Sequence, residues 1–323
     1  MEVVRGVHRI EATTADGRLV CCYLLCGEVF ALVDAGEATT PEDVLWPYLS
    51  THDLDLTKIR MVLITHADTD HFGGTSAVLK RTSAIVASHG ADAFWIASPD
   101  RVLSERYGQF ETPHCIAYTP EIQRRLRQQL GGAVPVALRL MDGSILAPRP
   151  DWQWRVLHLP GHTPGHLGLF DSSLGVALIG DAALGEGLYD ETGKVVIPPS
   201  YYDPEQYLQT LTKIERLPAR VVLTGHLPIL TGEGIAELLS DSRSFVGRLG
   251  KALRSTLNRT TSAWTLLEIT EQMRQTLGPW PQGCLPGLAR SVLGHLKELE
   301  NRGEIAQVNA LEGPPRWRRR QTA

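Results

Sequence analysis

A short apolar run, Met61-Val62-Leu63-Ile64, breaks into Thr65-His66-Ala67-Asp68-Thr69-Asp70-His71-Phe72-Gly73-Gly74. No other stretch constrains the chain as much. A run this short, ended by polar residues and glycines, reads as a buried strand whose tip feeds a helix start. His66, Asp68 and Asp70 stand two residues apart, so in an extended segment their side chains share one side, and His71 joins them from the adjoining turn. Asp and His also collect at ordinary turns and helix starts. Four of them in six positions, three on one side, point to a metal site instead.

The same device recurs along the chain. The apolar stretch Val29 to Val33 ends in Asp34-Ala35-Gly36, Trp152 to Leu159 runs into Pro160-Gly161-His162-Thr163-Pro164-Gly165-His166, Val176 to Ile179 ends in Gly180-Asp181, and Val221 to Leu223 in Thr224-Gly225-His226. Two prolines and two glycines around His162 and His166 make a tight loop that leaves the rings few directions. Each instance alone is a weak signal. Five strand tips carrying Asp or His imply side chains converging on one edge of stacked sheets.

Between these tips the pattern predicts an antiparallel meander over Val7 to Ile10, Leu19 to Leu25 and Val29 to Val33. Helices are expected over Pro41 to Leu49, with Thr40 as N-cap, and over Thr75 to Arg81, Ala91 to Ala97, Glu121 to Leu130 and Pro204 to Leu217. The connection over residues 90–135 is long and has structure of its own, which suits a cap over a site. His114 within it has no ligand-type neighbour and reads as a packing or surface residue.

With 323 residues, 43% hydrophobic and 21% charged, the chain suits one large domain plus a satellite. No apolar run has the length of a membrane span and Met1-Glu2-Val3-Val4-Arg5 lacks the features of a signal peptide, so a cytoplasmic protein without a membrane partner is expected. Of five cysteines, Cys21, Cys22 and Cys26 lie in a strand-like segment with no zinc spacing, and are expected as reduced packing residues. The net charge of -4 hides an asymmetry: residues 1–250 carry -9 and residues 251–323 carry +5.

Taken in order, Asp34, THADTDHFGG, PGHTPGH, Gly180-Asp181 and Gly225-His226 resemble the motifs of the metallo-β-lactamase superfamily over about residues 1–235. The resemblance implies an α+β fold, a four-layer αββα sandwich with metals at one rim. It also implies that His66, position 68 and His162 hold a first ion, that Asp70, His71 and His226 hold a second, and that Asp181 bridges them. Asp34 and His166 would then support the ligands from behind. A metal-bound hydroxide would attack the substrate, with Asp70 orienting it or returning a proton.

The resemblance has one exception: the family usually carries His where this chain has Asp68. A carboxylate is a harder donor and adds a negative charge. Two divalent ions against Asp68, Asp70, Asp181 and a hydroxide balance to neutrality, where the usual site keeps one positive charge. Zinc is the expected metal, with iron or manganese open because of Asp68.

The region 236–323 is similar to the small winged-helix-like domain of the glyoxalase II-like branch: a long helix from Gly232-Glu233-Gly234 through Gly247, helices over Thr261 to Leu277 and Leu285 to Arg302, and a wing strand at Glu304 to Val308. Arg290, Lys297, Arg302, Arg316, Arg318, Arg319 and Arg320 make it basic. A nucleic-acid partner is open on that ground, and packing against the acidic part of the chain is the competing role. The expected function is metal-dependent hydrolysis of a small-molecule ester, thioester or lactone. The alternative is a phosphodiesterase acting on single-stranded RNA. Tyr201 and Tyr202 are expected as packing residues, and the oligomeric state stays open, a homodimer included.

Overall fold

The computed structural model describes residues 1–259, 262–278, 280–308 and 313–320. Seven strands form the first sheet in sequence order: β1 Glu2–Val4, β2 Val7–Thr13, β3 Leu19–Cys26, β4 Phe30–Val33, β5 Ile59–Leu63, β6 Ile85–His89 and β7 Val136–Leu140. β1 to β4 are the expected antiparallel meander. β4 to β7 run parallel, with helical crossovers between them. The second sheet uses β8 Ile145–Leu146, β9 Trp154–His158, β10 Leu167–Asp171 and β11 Val176–Gly180, then, after the small ribbon β12 Leu188–Tyr189 and β13 Val195–Ile197, β14 Val221–Thr224 and β15 Leu230–Thr231.

The sheets pack face to face, and β3 shows how its sequence permits this. Successive side chains of a strand point to opposite faces. Cys21, Tyr23 and Leu25 enter the core between the sheets with Trp154, Leu169 and Leu178, while Cys22 and Leu24 enter the core under the outer helices with Trp46, Leu49 and Val78. Both faces of the strand are therefore apolar, and its cysteines are free packing residues. This is the expected α+β sandwich, with helices on both outer faces.

Because β4 and β5 are parallel, as are β11 and β14, their C-terminal ends meet at one rim. Three bonds stitch the two sheets there: Leu167 N–H to the Thr65 carbonyl at 2.8 Å, Cys21 N–H to the Gly225 carbonyl at 2.8 Å, and Tyr23 O–H to the Thr224 carbonyl at 2.6 Å.

Thr40 stands at the expected N-cap position but makes no side-chain capping bond. It is already helical, at φ -51 and ψ -40, and its hydroxyl accepts from the Glu37 N–H, so the helix enters from the preceding turn as Pro41–Leu45 and continues as Trp46–Thr51. The insertion holds Pro99–Arg101, a wide π-type turn at Val102–Tyr107, and the helix Pro120–Gln129.

Beyond β15 come helices Glu233–Asn258, Leu266–Leu277 and Leu285–Asn301, and a small sheet of β16 Trp264–Thr265, β17 Ile305–Val308 and β18 Arg316–Arg319. The helix expected from Thr261 starts later, because Trp264 and Thr265 pair with β18 and Thr265 then closes a capping box with Glu268; Thr261 itself lies outside the described residues. The expected boundary at 235/236 falls in the first turn of Glu233–Asn258. One apolar cluster runs from Leu157, Phe170 and Tyr207 of the sandwich into Phe245, Leu288 and Val292 of the C-terminal helices.

Candidate metal centre

The rim gathers the side chains of all five strand tips. Asp34, just after β4, sits in the left-handed region at φ 60, which turns its carboxylate back over the tip of β5. Its Oδ1 accepts from the Thr65 N–H and its Oδ2 from the Thr65 hydroxyl, both at 2.7 Å, and Oδ2 also accepts from His71 Nδ1 at 2.8 Å. Asp92 ties the next pair of loops: it accepts from the Ala67 N–H, the Thr163 hydroxyl and the Gly165 N–H. A Cβ at Gly165 would stand 2.6 Å from an Asp92 oxygen, so this loop needs its glycine.

The hydrogen bonds of the imidazoles settle which nitrogens face inward. His162 Nδ1 meets the Ser200 carbonyl at 2.7 Å and His226 Nδ1 meets the Leu19 carbonyl at 2.7 Å. A carbonyl only accepts, so both Nδ1 atoms carry the proton. The Thr65 hydroxyl spends its proton on Asp34, so its 2.9 Å contact with His66 is donated by His66 Nδ1. With His71 donating to Asp34, four rings have their protonated nitrogen turned outward and Nε2 turned inward.

The inward atoms crowd one another. His162 Nε2 lies 2.9 Å and His66 Nε2 3.4 Å from Asp68 Oδ2; His71 Nε2 is 3.2 Å from His226 Nε2; His226 Nε2 is 3.2 Å from Asp181 Oδ2 and 3.8 Å from Asp70 Oδ2. Three groups have ligand atoms within 4.8 Å of one another: His66, Asp68 and His162; Asp70, His71 and His226; and His66, His71 and Asp181. His66 Nε2 and Asp181 Oδ1 are buried with no hydrogen-bond partner. Imidazole nitrogens and carboxylate oxygens converging in a buried site call for positive charge between them, a proton or a metal ion, and this donor set fits divalent metal.

The titration of the site carries the same message. Burial alone would pull His71 down, but the Asp181 and Asp34 carboxylates outweigh it and push the imidazole up to about 10. Burial would raise Asp181, yet His226 and His71 hold it well below the usual carboxylate range. The carboxylates thus draw positive charge into the cluster. His166 differs: burial and then His66 hold it well below the ordinary histidine value, and its Nε2 accepts the Asp181 N–H at 3.0 Å. It stacks on His66 with ring centroids 4.8 Å apart.

Three arginines and Asp92 are parts of the site that sequence reasoning missed as such. Arg106 Nε donates to Asp68 Oδ1 at 2.6 Å, Arg18 Nη1 reaches Asp70 Oδ2 at 3.3 Å, and Arg290 donates to Ser200 Oγ at 2.7 Å. Arg290, read from sequence among the basic residues of the C-terminal region, is buried. Tyr201 is buried, stacked on Tyr207, with its hydroxyl against His295 Nε2, whereas the Tyr202 hydroxyl accepts from Arg106. His114 packs against Trp317. A signal for the arginines existed only in charge: extra buried carboxylates need cations, but spacing does not say which.

A cavity of about 370 Å³ opens onto Asp68, Asp70, His162, Asp181 and His226. The insertion contributes Tyr107, Ile122 and Leu126 to its wall, and the C-terminal region contributes Pro281, Cys284 and Arg290.

With this fold and rim in place, the match of the metallo-beta-lactamase superfamily profile to residues 15–226 has its structural counterpart, and the chain belongs to that superfamily of metallohydrolases. It is 26% identical over 262 residues to the probable metallo-hydrolase YflN of Bacillus subtilis, covering 74% of this chain and 90% of that protein. It is 28% identical over 178 residues to the hydroxyacylglutathione hydrolase GloC of Haemophilus influenzae, covering 54% and 71%. Among solved structures, the metallo-beta-lactamase family protein TTHA1429 of Thermus thermophilus superposes with a TM-score of 0.74 at 22% identity, over 98% of this chain and all of that one.

Proposed function

We propose that the chain hydrolyses a thioester, ester or lactone at a two-metal centre. His66, Asp68 and His162 would hold one ion, Asp70, His71 and His226 the other, with Asp181 shared. The observation that carries this reading is the set of four imidazoles whose Nδ1 protons are all committed outward while Nε2 atoms and three carboxylates converge. Ions bound there supply Lewis acidity toward a carbonyl oxygen and acidify water near neutral pH.

The chain's own residues supply the rest. Asp70, held by Arg18, is the carboxylate placed to take a proton from the attacking water and pass it to the leaving group. Ile122, Leu126, Leu184, Leu188, Val196 and Ile197 give the cleft an apolar wall suited to an acyl group. The relative named hydroxyacylglutathione hydrolase favours a thioester within this class. Zinc suits the imidazoles, and Asp68 keeps iron and manganese open. Among the described residues no helix is long and apolar enough to cross a membrane.

Elemental analysis with a thioester, ester and lactone panel tests the reading. Two ions per chain are expected, with activity lost on chelation and regained with metal. His162→Ala should bring the content to about one ion and lower the rate by about a hundredfold or more. Protein that binds no metal and hydrolyses none of the three classes ends the proposal. The RNA reading rests on Arg318 and Arg319, exposed on β18. Of the remaining basic residues of that region, Arg290 is buried, Arg302 pairs with Glu298, Arg316 pairs with Glu268 and Arg320 donates to the Ile305 carbonyl, while Lys297 is exposed. Metal-dependent cleavage of a labelled single strand, with no turnover in the ester panel, would favour RNA over the acyl substrate.

A further inference from the structure

Arg106 belongs to no motif, yet its side chain is fully buried beside Asp68. Its Nε donates to Asp68 Oδ1 at 2.6 Å, and the Tyr107 hydroxyl donates to the same oxygen at 3.0 Å. Oδ2 receives neither bond and faces His162 Nε2 and His66 Nε2. The carboxylate is divided: one oxygen for the insertion, the other for the centre.

Its surroundings fix the guanidinium in place. It lies over the rings of Trp95 and Tyr202, 5.9 and 5.5 Å from their centroids, and Nη1 donates to the Tyr202 hydroxyl at 3.1 Å. Arg290, from the helix Leu285–Asn301, donates to the Arg106 carbonyl at 3.2 Å and to Ser200 Oγ at 2.7 Å. The carbonyl of that same serine orients His162. Two long-range elements therefore brace Arg106 and the neighbouring ligand together.

We infer that Arg106 is the positioning residue that makes Asp68 the equivalent of a neutral ligand, taking up its charge through Oδ1 and leaving Oδ2 as a single donor. The inference rests on the two-metal reading above. A carboxylate in place of an imidazole brings the centre to neutrality; counting the guanidinium returns the one positive charge of the usual site. Each partner alone would be a buried, uncompensated charge, which is costly, so the two residues act as one unit. Tyr107 adds direction without charge.

Metal affinity tests this, measured by zinc competition with a coloured chelator on the full chain, alongside melting temperature. Asp68→His alone leaves the guanidinium unpaired beside the cation, so the first ion should bind at least about tenfold more weakly. Adding Arg106→Gln to Asp68→His should restore affinity to within about threefold of wild type. In the Asp68 background, Arg106→Gln frees the carboxylate's charge and should tighten the first ion by about tenfold, while Arg106→Lys stays within about threefold of wild type. If Asp68→His fails to fold but the double variant folds, the same coupling is read in folding. If neither folds, the Arg106→Gln and Arg106→Lys pair decides. A double variant that binds zinc as weakly as Asp68→His, or an Arg106→Gln variant that binds zinc no tighter than wild type, overturns the inference. Wild-type protein that binds no ion overturns the metal reading beneath it, a result distinct from two ions with no rescue in the double variant.

Discussion

Glu37 carries a penalty that a single substitution should expose. It accepts from the Ala15 N–H and from Gln129 Nε2, and Gln129 in turn accepts from Thr69 next to the ligands. Burial first, and the Asp70 and Asp16 charges as well, push its carboxyl up to about 7. The folded protein therefore holds a proton there that the unfolded chain, titrating near 4.5, releases. Stability from this group is highest below the lower value and falls as pH rises through the folded one. Glu37→Gln should remove that loss, stabilising metal-free protein by up to roughly 3 kcal/mol at about pH 8 and by far less at about pH 5. Urea unfolding at both pH values measures it, and an equal difference at the two would refute it. At this scale the legible residues were those with a local signature. His66, Asp70, His71, His162, Asp181 and His226 each follow an apolar run, and the structure brings them together. Arg106, Arg18 and Asp92 reach the site across 38, 52 and 25 residues of chain, and no spacing announces such contacts.

Strand tips were readable as elements because a buried strand must end, and a polar residue at its end is exposed to whatever the rim assembles. The segments beyond the tips were less readable. Thr40 has the residue type of an N-cap, but its hydroxyl accepts from the Glu37 N–H three residues earlier, a local turn bond that competes with capping. Gly225, at the end of β14, is a position where the tertiary demand falls on the absence of a side chain. A Cβ there would lie 2.2 Å from Asp181 Oδ1 and 2.7 Å from His71 Cε1. The Asp181 side chain can swing away, so the fold survives, but the oxygen leaves its place between the imidazoles. Gly225→Ala should keep its far-UV circular dichroism and a melting temperature within a few degrees of wild type, and lower metal content by at least about one ion per chain. A variant with full metal content would show that Asp181 is dispensable to the centre.

At the scale of the molecule, the C-terminal helices are part of the core that holds the site. The helix Pro204–Glu215 packs on both Glu233–Asn258 and Leu285–Asn301. Tyr201 is buried between its stacking partner Tyr207 and the ring of Phe245, with His295 at its hydroxyl. The segments were legible as helices and a strand, but their attachment was not, because Arg290 and Phe245 look like any surface or core residue in sequence. Removing everything after Thr231 would uncover Tyr201, Tyr207, Leu211 and Ile214 in part, at roughly 1.5 to 3 kcal/mol for each fully exposed. That sum, an upper bound reached only at full exposure, is comparable with the 5 to about 15 kcal/mol by which a domain is stable. The same cut removes Arg290, and with it the bonds to Ser200 and Arg106 behind both His162 and Asp68. A chain ending at Thr231 should therefore lose cooperative thermal unfolding, not merely activity. Arg290→Met in the full chain should keep cooperative unfolding and lose metal affinity by about threefold or more, because only the bracing is gone. A truncated chain that melts cooperatively and still binds two ions would show that residues 1–231 form an independent unit.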